Sequence, residues 1–254
     1  MYLYEAVRLM LFYMHLQLTE HPEESFSFVL RNRVDIYRKT DANPGPLNPQ
    51  ELHFDEEPWM CMERAAEECW LAHRTDRAGF EDEAFEIFRP SIERRVERDF
   101  RDDSVLKRYQ CGCFRHDLAL KRIEGECLGF HIANDKTPDS LFDYPDHICE
   151  CLLKLCEVAE RQFGAKHLCT STWLNSYPRF LAFFPDEWQQ NLGKENREVS
   201  WGYGHWGQFI SARGTFNRRR GEYLRQYGKM PYYPRFSKCR IDALRPFLLE
   251  RMTH

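Results

Sequence analysis

The sequence predicts an α+β or α/β protein in which a helical N-terminal region packs on a central mixed β-sheet domain. Three observations carry this expectation. Residues 1–105 read mainly as helices, with apolar positions recurring at helical spacing among charged ones. From Tyr109 the texture changes to short apolar runs separated by turns. The order of segments across 106–254 is strand–strand–helix–strand–helix–strand–helix, an alternation that builds a sheet covered by helices. With 254 residues, 43% of them hydrophobic, the chain is long enough to bury one good core, or a core domain and a smaller helical partner.

In the first region the clearest helices are 1–18, 58–74 and 80–100, the last carrying Phe80, Phe88, Ile92 and Val96 on one stripe and Pro90 as a kink or break. The Pro-rich stretch 41–50 is a loop. Beyond it, residues 109–134 read as a β-hairpin turning near Gly125, with Leu128, Phe130 and Ile132 on one face and His131 on the other. Pro145 and Asp146 open a helix that closes at Gly164. LCTSTWLNS (168–176) is the next strand, and SYPRFLAFFPDEWQQNL a helix interrupted at Pro185. The run REVSWGYGHWGQFI is expected as a strand, and GTFNRRRGEYLRQYG as a helix ending at Gly228. A Pro-rich return and a last helix at 241–252 complete the chain.

Composition excludes several classes. Nineteen Phe, twelve Tyr and six Trp argue against a disordered chain. The formal charge of −4 hides an asymmetry: residues 1–100 are acidic, whereas 197–240 hold ten basic side chains against Glu198 and Glu222. An anionic small molecule is therefore the expected ligand of the C-terminal third. The basic residues are too few and scattered for a nucleic-acid surface. No apolar stretch approaches the roughly 20 residues that span a bilayer, so no membrane partner is expected. Ten cysteines without a secretory leader point to a reduced, cytoplasmic protein, and a homo-oligomer is left open.

Three runs end in clusters of hydrogen-bonding side chains. In the first, His131 is a proton-transfer group, with Asn134 to hold a substrate and Asp135 to orient the His131 imidazole or a substrate amine. The second offers Trp173 as a pocket wall and Asn175 as a carboxamide to orient a carbonyl, or as a helix cap. The third, 199–214, is the densest: His205 is the first choice of general base, Trp206 a second wall, Gln208 a second carboxamide and Arg213 an anion anchor, followed by Asn217. Its glycines do not form a dinucleotide fingerprint, because aromatic residues interleave them. Cysteines occur as C-x-C at 111–113 and 149–151, and His147 shares a helix face with Cys151 at i, i+4. Paired C-x-x-C knuckles are missing, so no metal is expected and buried reduced thiols are favoured. A nucleophilic Cys169 or Cys239 paired with a histidine has no supporting motif.

The residues LGFHI, ICECLLKLCEVAERQF and CTSTWLNSYPRFLAFFP resemble part of bacterial acyltransferase-domain proteins related to the GNAT superfamily, over about 128–193. The resemblance implies a GNAT-like sheet and transfer of an acyl group from a thioester such as acyl-CoA to an amine or hydroxyl. The Q/R-x-x-G-x-G/A turn by which that superfamily binds pyrophosphate has no counterpart after His131, where the chain reads IANDKTPDS, so the cofactor stays open. The expected function is an acyltransferase-like small-molecule enzyme that uses His205 or His131 as general base, without a covalent intermediate. The alternatives are a cofactor-free lyase, isomerase or hydrolase working by His/Asp proton transfer, and a non-enzymatic ligand-binding or interaction protein.

Overall fold

The computed structural model describes residues 2–45, 52–100, 110–121 and 126–253, with the backbone alone at 99 and 100. In chain order the helices are α1 (Tyr2–Glu20), α2 (Phe26–Asn32), α3 (Trp59–Ala72), α4 (Arg77–Phe100), α5 (Pro145–Phe163), α6 (Pro178–Leu181), α7 (Asp186–Gln190), α8 (Tyr203–Trp206), α9 (Arg218–Tyr227) and α10 (Ile241–Arg251). The strands are β1 (Phe114–Lys121), β2 (Cys127–Ile132), β3 (His167–Thr172) and β4 (Arg235–Arg240). The fold is thus mixed α+β. The chain divides into two compact units, one made of Met1–Asp102, Glu198–Ser211 and Thr215–Pro231, the other of Asp103–Arg197, Ala212–Gly214 and Tyr232–His254.

The first unit is helical. α1 and α4 pack along each other, and the buried rings of Tyr37, Trp59 and Phe88 fill the space beside α3. Pro90 lies inside α4, which continues past it as one helix. A buried carboxylate, Asp35, accepts from Arg38 at 3.0 Å and Lys39 at 2.8 Å, and the Arg38 guanidinium lies 3.3 Å over the Trp201 ring. Burying these charges is tolerable because each faces an opposite charge or an aromatic face.

The second unit is built on a four-stranded sheet in the order β1-β2-β3-β4. β1 and β2 are antiparallel, β2 and β3 parallel, β3 and β4 antiparallel. The parallel step needs a crossover, and α5 supplies it. Its apolar residues Ile148, Leu152, Leu155 and Ala159 recur at helical spacing and lie in one core with Phe114, Leu128, Phe130 and Leu168 of the sheet and Leu244 and Leu248 of α10. The helix stops where Gly164 takes the left-handed conformation, φ 63°, and returns its N–H to the last turn. Phe184 and Trp188, whose rings stack at 4.0 Å, close the core. No helix among the described residues is long and apolar enough to cross a membrane.

The sequence expectations fare unevenly. The antiparallel β1–β2 pair forms, its expected turn at Gly125 lying outside the described residues, as does the second half of the 41–50 loop. Pro185 separates α6 from α7. The expected strand at 197–210 is corrected: within it lie α8 and a 3-10 turn over Gly207–Phe209, and only Ile210 makes an isolated bridge, to Phe216. His205, Trp206, Gln208 and Phe209 are all buried, and this spacing of one, three and four residues is what a helical turn produces and alternation forbids. LCTSTWLNS keeps its strand only to Thr172, whose hydroxyl then caps a 3-10 turn at Trp173–Ser176. The fourth strand lies instead at Arg235–Arg240, just past the Pro-rich return.

Because Leu152 is fully buried at the centre of the α5 face, Leu152→Ala should destabilise the protein by about 2–5 kcal/mol in denaturant titration. A loss below about 1 kcal/mol would contradict its place in the core.

Candidate functional site

The segment Cys111–Phe114 closes a tight turn at the start of β1: Cys111 N–H donates to Phe114 O at 3.0 Å, and Phe114 N–H to Cys111 O at 3.2 Å. Gly112 at its tip has φ +65°, a conformation that favours glycine. A Cβ there would sit 2.2 Å from Cys151 Sγ, so only a glycine lets the turn press against α5. This contact sets the Cys113 thiol beside the Cys151 thiol. One helical turn earlier on α5, His147 places Nε2 at 3.6 Å and Nδ1 at 3.9 Å from Cys151 Sγ. One ligand-type atom from each of Cys113, His147 and Cys151 lies within 4.8 Å of the others.

A carboxylate completes the group. Asp135 Oδ2 lies 2.8 Å from His147 Nε2. The loop that carries it is tied down by Asn134, whose side chain accepts from Lys136 N–H at 3.1 Å and donates to the carbonyls of Asp139 at 2.7 Å and Ala212 at 2.9 Å. Ala133 N–H donates to Cys113 O at 3.0 Å, joining this loop to the cysteine turn. An Asp135 that accepts from Nε2–H leaves Nδ1 of a neutral imidazole as the free lone pair. The thiols are buried and the imidazole and carboxylate about a quarter exposed, so the cluster runs from the core to the surface.

The two thiols are electrically unlike. Cys151 is drawn downward, chiefly by its hydrogen bond with Cys113, helped by the Cys113 backbone N–H and by His147 against the cost of burial. Cys113 moves upward, for the same hydrogen bond and for burial. Elsewhere burial is the largest cause: Cys156 and Cys169 are pushed up to about 12, and Cys239 rises too. Among the described residues Cys151 is the thiol that shifts downward.

The expected site residues are distributed as follows. Asp135 faces His147, not His131. His131 is half exposed and pairs with Asp117 on β1, Nε2 to Oδ1 2.9 Å. Trp173 lies against Tyr232 and Tyr177 at centroid distances of 5.8 and 6.1 Å. Asn175 is fully buried: Nδ2 donates to the carbonyls of Thr170 and Arg235, and Oδ1 accepts from Trp188 Nε1 at 3.0 Å. Arg213 is exposed on the turn between Ser211 and Thr215. These belong to the sheet unit, whereas His205, Trp206, Gln208 and Asn217 belong to the helical unit. There His205 Nδ1 accepts from Ser200 N–H at 3.3 Å, Trp206 Nε1 donates to Arg33 O, Gln208 Nε2 donates to His205 O, and Asn217 caps α9 by accepting from Arg220 N–H.

Sequence reasoning weighed each C-x-C pair within itself and so missed the cross-pair. The i, i+4 spacing of His147 and Cys151 was the available signal; that Cys113 and Asp135 reach them is a tertiary fact. A second group, Cys69, His73 and Glu83, lies in the helical unit, but His73 faces Glu83 through Nε2 at 2.8 Å and Asp76 through Nδ1 at 3.6 Å. No family model matches the chain, and neither a curated protein nor a solved structure matches it.

The His131 bond holds the Asp117 carboxyl down at about 2, assisted by Lys121 and opposed by burial. A depressed carboxylate stabilises the fold above its unfolded value of about 3.9, and that contribution is lost as the pH falls through the folded value near 2. His131→Ala should therefore raise the Asp117 pKa toward about 3.9 in a carboxylate NMR titration and move acid unfolding to higher pH. An unchanged Asp117 titration would show that the pair does not form.

Proposed function

We propose that this chain is a small-molecule enzyme that transfers an acyl group through the Cys151 thiol, with His147 as the proton carrier and Asp135 as the residue that positions it. The supporting observation is that the His147 ring touches both partners, Nε2 at 2.8 Å from Asp135 Oδ2 and the two ring nitrogens at 3.6 and 3.9 Å from Cys151 Sγ. A thiol, an imidazole and a carboxylate in that order have distinct work: nucleophile, base and orienting group. His147 takes the proton of the Cys151 thiol as Sγ attacks the acyl carbon of a thioester or activated ester, and the tetrahedral adduct expels the leaving group, which takes that proton from His147. An acceptor amine or hydroxyl then gives its proton to His147 as it attacks the acyl-cysteine, and Cys151 is released. This reading keeps the acyl transfer that the sequence resemblance implies and moves the reacting group from His205 to the cysteine cluster. The acceptor remains the small anionic molecule expected from the C-terminal charge. With water as acceptor, the same centre is a hydrolase.

Intact-mass measurement after brief exposure of the metal-free protein to p-nitrophenyl acetate or acetyl-CoA should show one acetyl group, mapped to Cys151. Cys151→Ala should abolish it. His147→Ala should slow it by about 10²–10⁴-fold, the usual worth of a positioned acid–base group. Labelling of another cysteine first, or an unchanged rate in Cys151→Ala, would sink the proposal.

A further inference from the structure

The geometry points to a second use of the same atoms: we propose that Cys113, His147 and Cys151 bind one zinc-type divalent cation, and that this metal holds the thiol centre in an inactive, ligated form. The inactivating role rests on the acyl-transfer reading; the metal site stands on the donor set.

Two sulfurs and an imidazole nitrogen are the ligand chemistry of zinc, with sulfur at about 2.3 Å and nitrogen at about 2.0–2.1 Å from the ion. Ligands at those distances in a tetrahedron stand roughly 3.3–3.8 Å from one another. The three donors lie within 4.8 Å of each other, so small side-chain rotations bring them to an ion. They come from two elements, the Gly112 turn and the first turns of α5, each held by its own backbone bonds. Such a site is framed before the ion arrives.

Charge favours it as well. Cys113 is inaccessible and Cys151 nearly so, and two thiolates at that depth would be uncompensated. A divalent cation balances both, and the neutral imidazole adds no charge. Asp135 on His147 Nε2 is the carboxylate–histidine–metal arrangement that fixes the tautomer and leaves Nδ1 for the ion. The Cys69, His73 and Glu83 group lacks this feature, because both ring nitrogens of His73 already face carboxylates. Three protein ligands leave the fourth position to water. With the ion in place, the Cys151 lone pair is committed to the metal and cannot attack an acyl carbon, and the protons of both thiols have gone to solvent.

The test is a titration of the reduced, metal-free full chain with cobalt(II), followed by zinc in competition with a chromophoric chelator. One equivalent of cobalt should produce a thiolate-to-metal charge-transfer band that one equivalent of zinc removes. Cys113→Ala and Cys151→Ala should each abolish the band. Asp135→Asn, which alters no ligand, should weaken zinc about 10–100-fold, a variant that remains informative if a cysteine change unfolds the chain. No band from the folded wild-type protein, or a band that survives Cys113→Ala, would overturn the site. Acetylation of Cys151 that is blocked by one equivalent of zinc supports the inactivating role. Cobalt binding by a metal-free protein that never acetylates removes the acyl-transfer reading and the inactivating role, and leaves the metal site standing.

Discussion

The close approach of the Gly112 turn to α5 is the constraint on which the site depends. A turn that carried a side chain at this position would meet the Cys151 sulfur at 2.2 Å, and the positive φ adds a second reason for glycine. The contact does three things at once. It lies at the start of β1, where Phe114 faces Ile132 of β2, it covers the sulfur of Cys151 from bulk water, and it sets the Cys113 thiol beside that of Cys151.

Burial by itself makes a thiol inert: Cys156 and Cys169 lie as deep as Cys113 and are pushed upward chiefly by desolvation. Cys151 moves the other way because it has partners, a thiol donor, a backbone N–H and an imidazole, each favouring its charged form. The difference lies in local hydrogen bonding, not in depth. The same partners explain why one cluster suits both a nucleophile and a soft cation. Each use requires a stabilised thiolate and an imidazole with a defined tautomer, and Asp135 supplies the latter.

Local pattern made part of this legible in the sequence. The apolar spacing of α5, its Pro145 start and Gly164 stop, and the hairpin of β1 and β2 follow from propensity and periodicity, which act over a few residues. The run at 199–210 misled because interleaved glycines and aromatics imitate alternation, whereas burial there follows helical spacing. β4 was hidden by its polar composition: RFSKCR buries only Ser237 and Cys239. At the site, the His147–Cys151 spacing was readable, and the arrivals of Cys113 and Asp135 were not, since both depend on a turn and a loop meeting a helix far along the chain. Asp135 was expected beside His131; in the fold Asp117 of β1 faces His131, and Asp135 faces His147.

The most direct test of this account is whether Cys113 and Cys151 are neighbours in the folded protein. Mild oxidation of the metal-free chain with diamide, followed by digestion and mass spectrometry, reports which thiols can reach each other. The account predicts a Cys113–Cys151 bridge as the dominant linked peptide. A dominant bridge from Cys151 to any other cysteine, or a Cys151 that enters no bridge while other cysteines do, would contradict it.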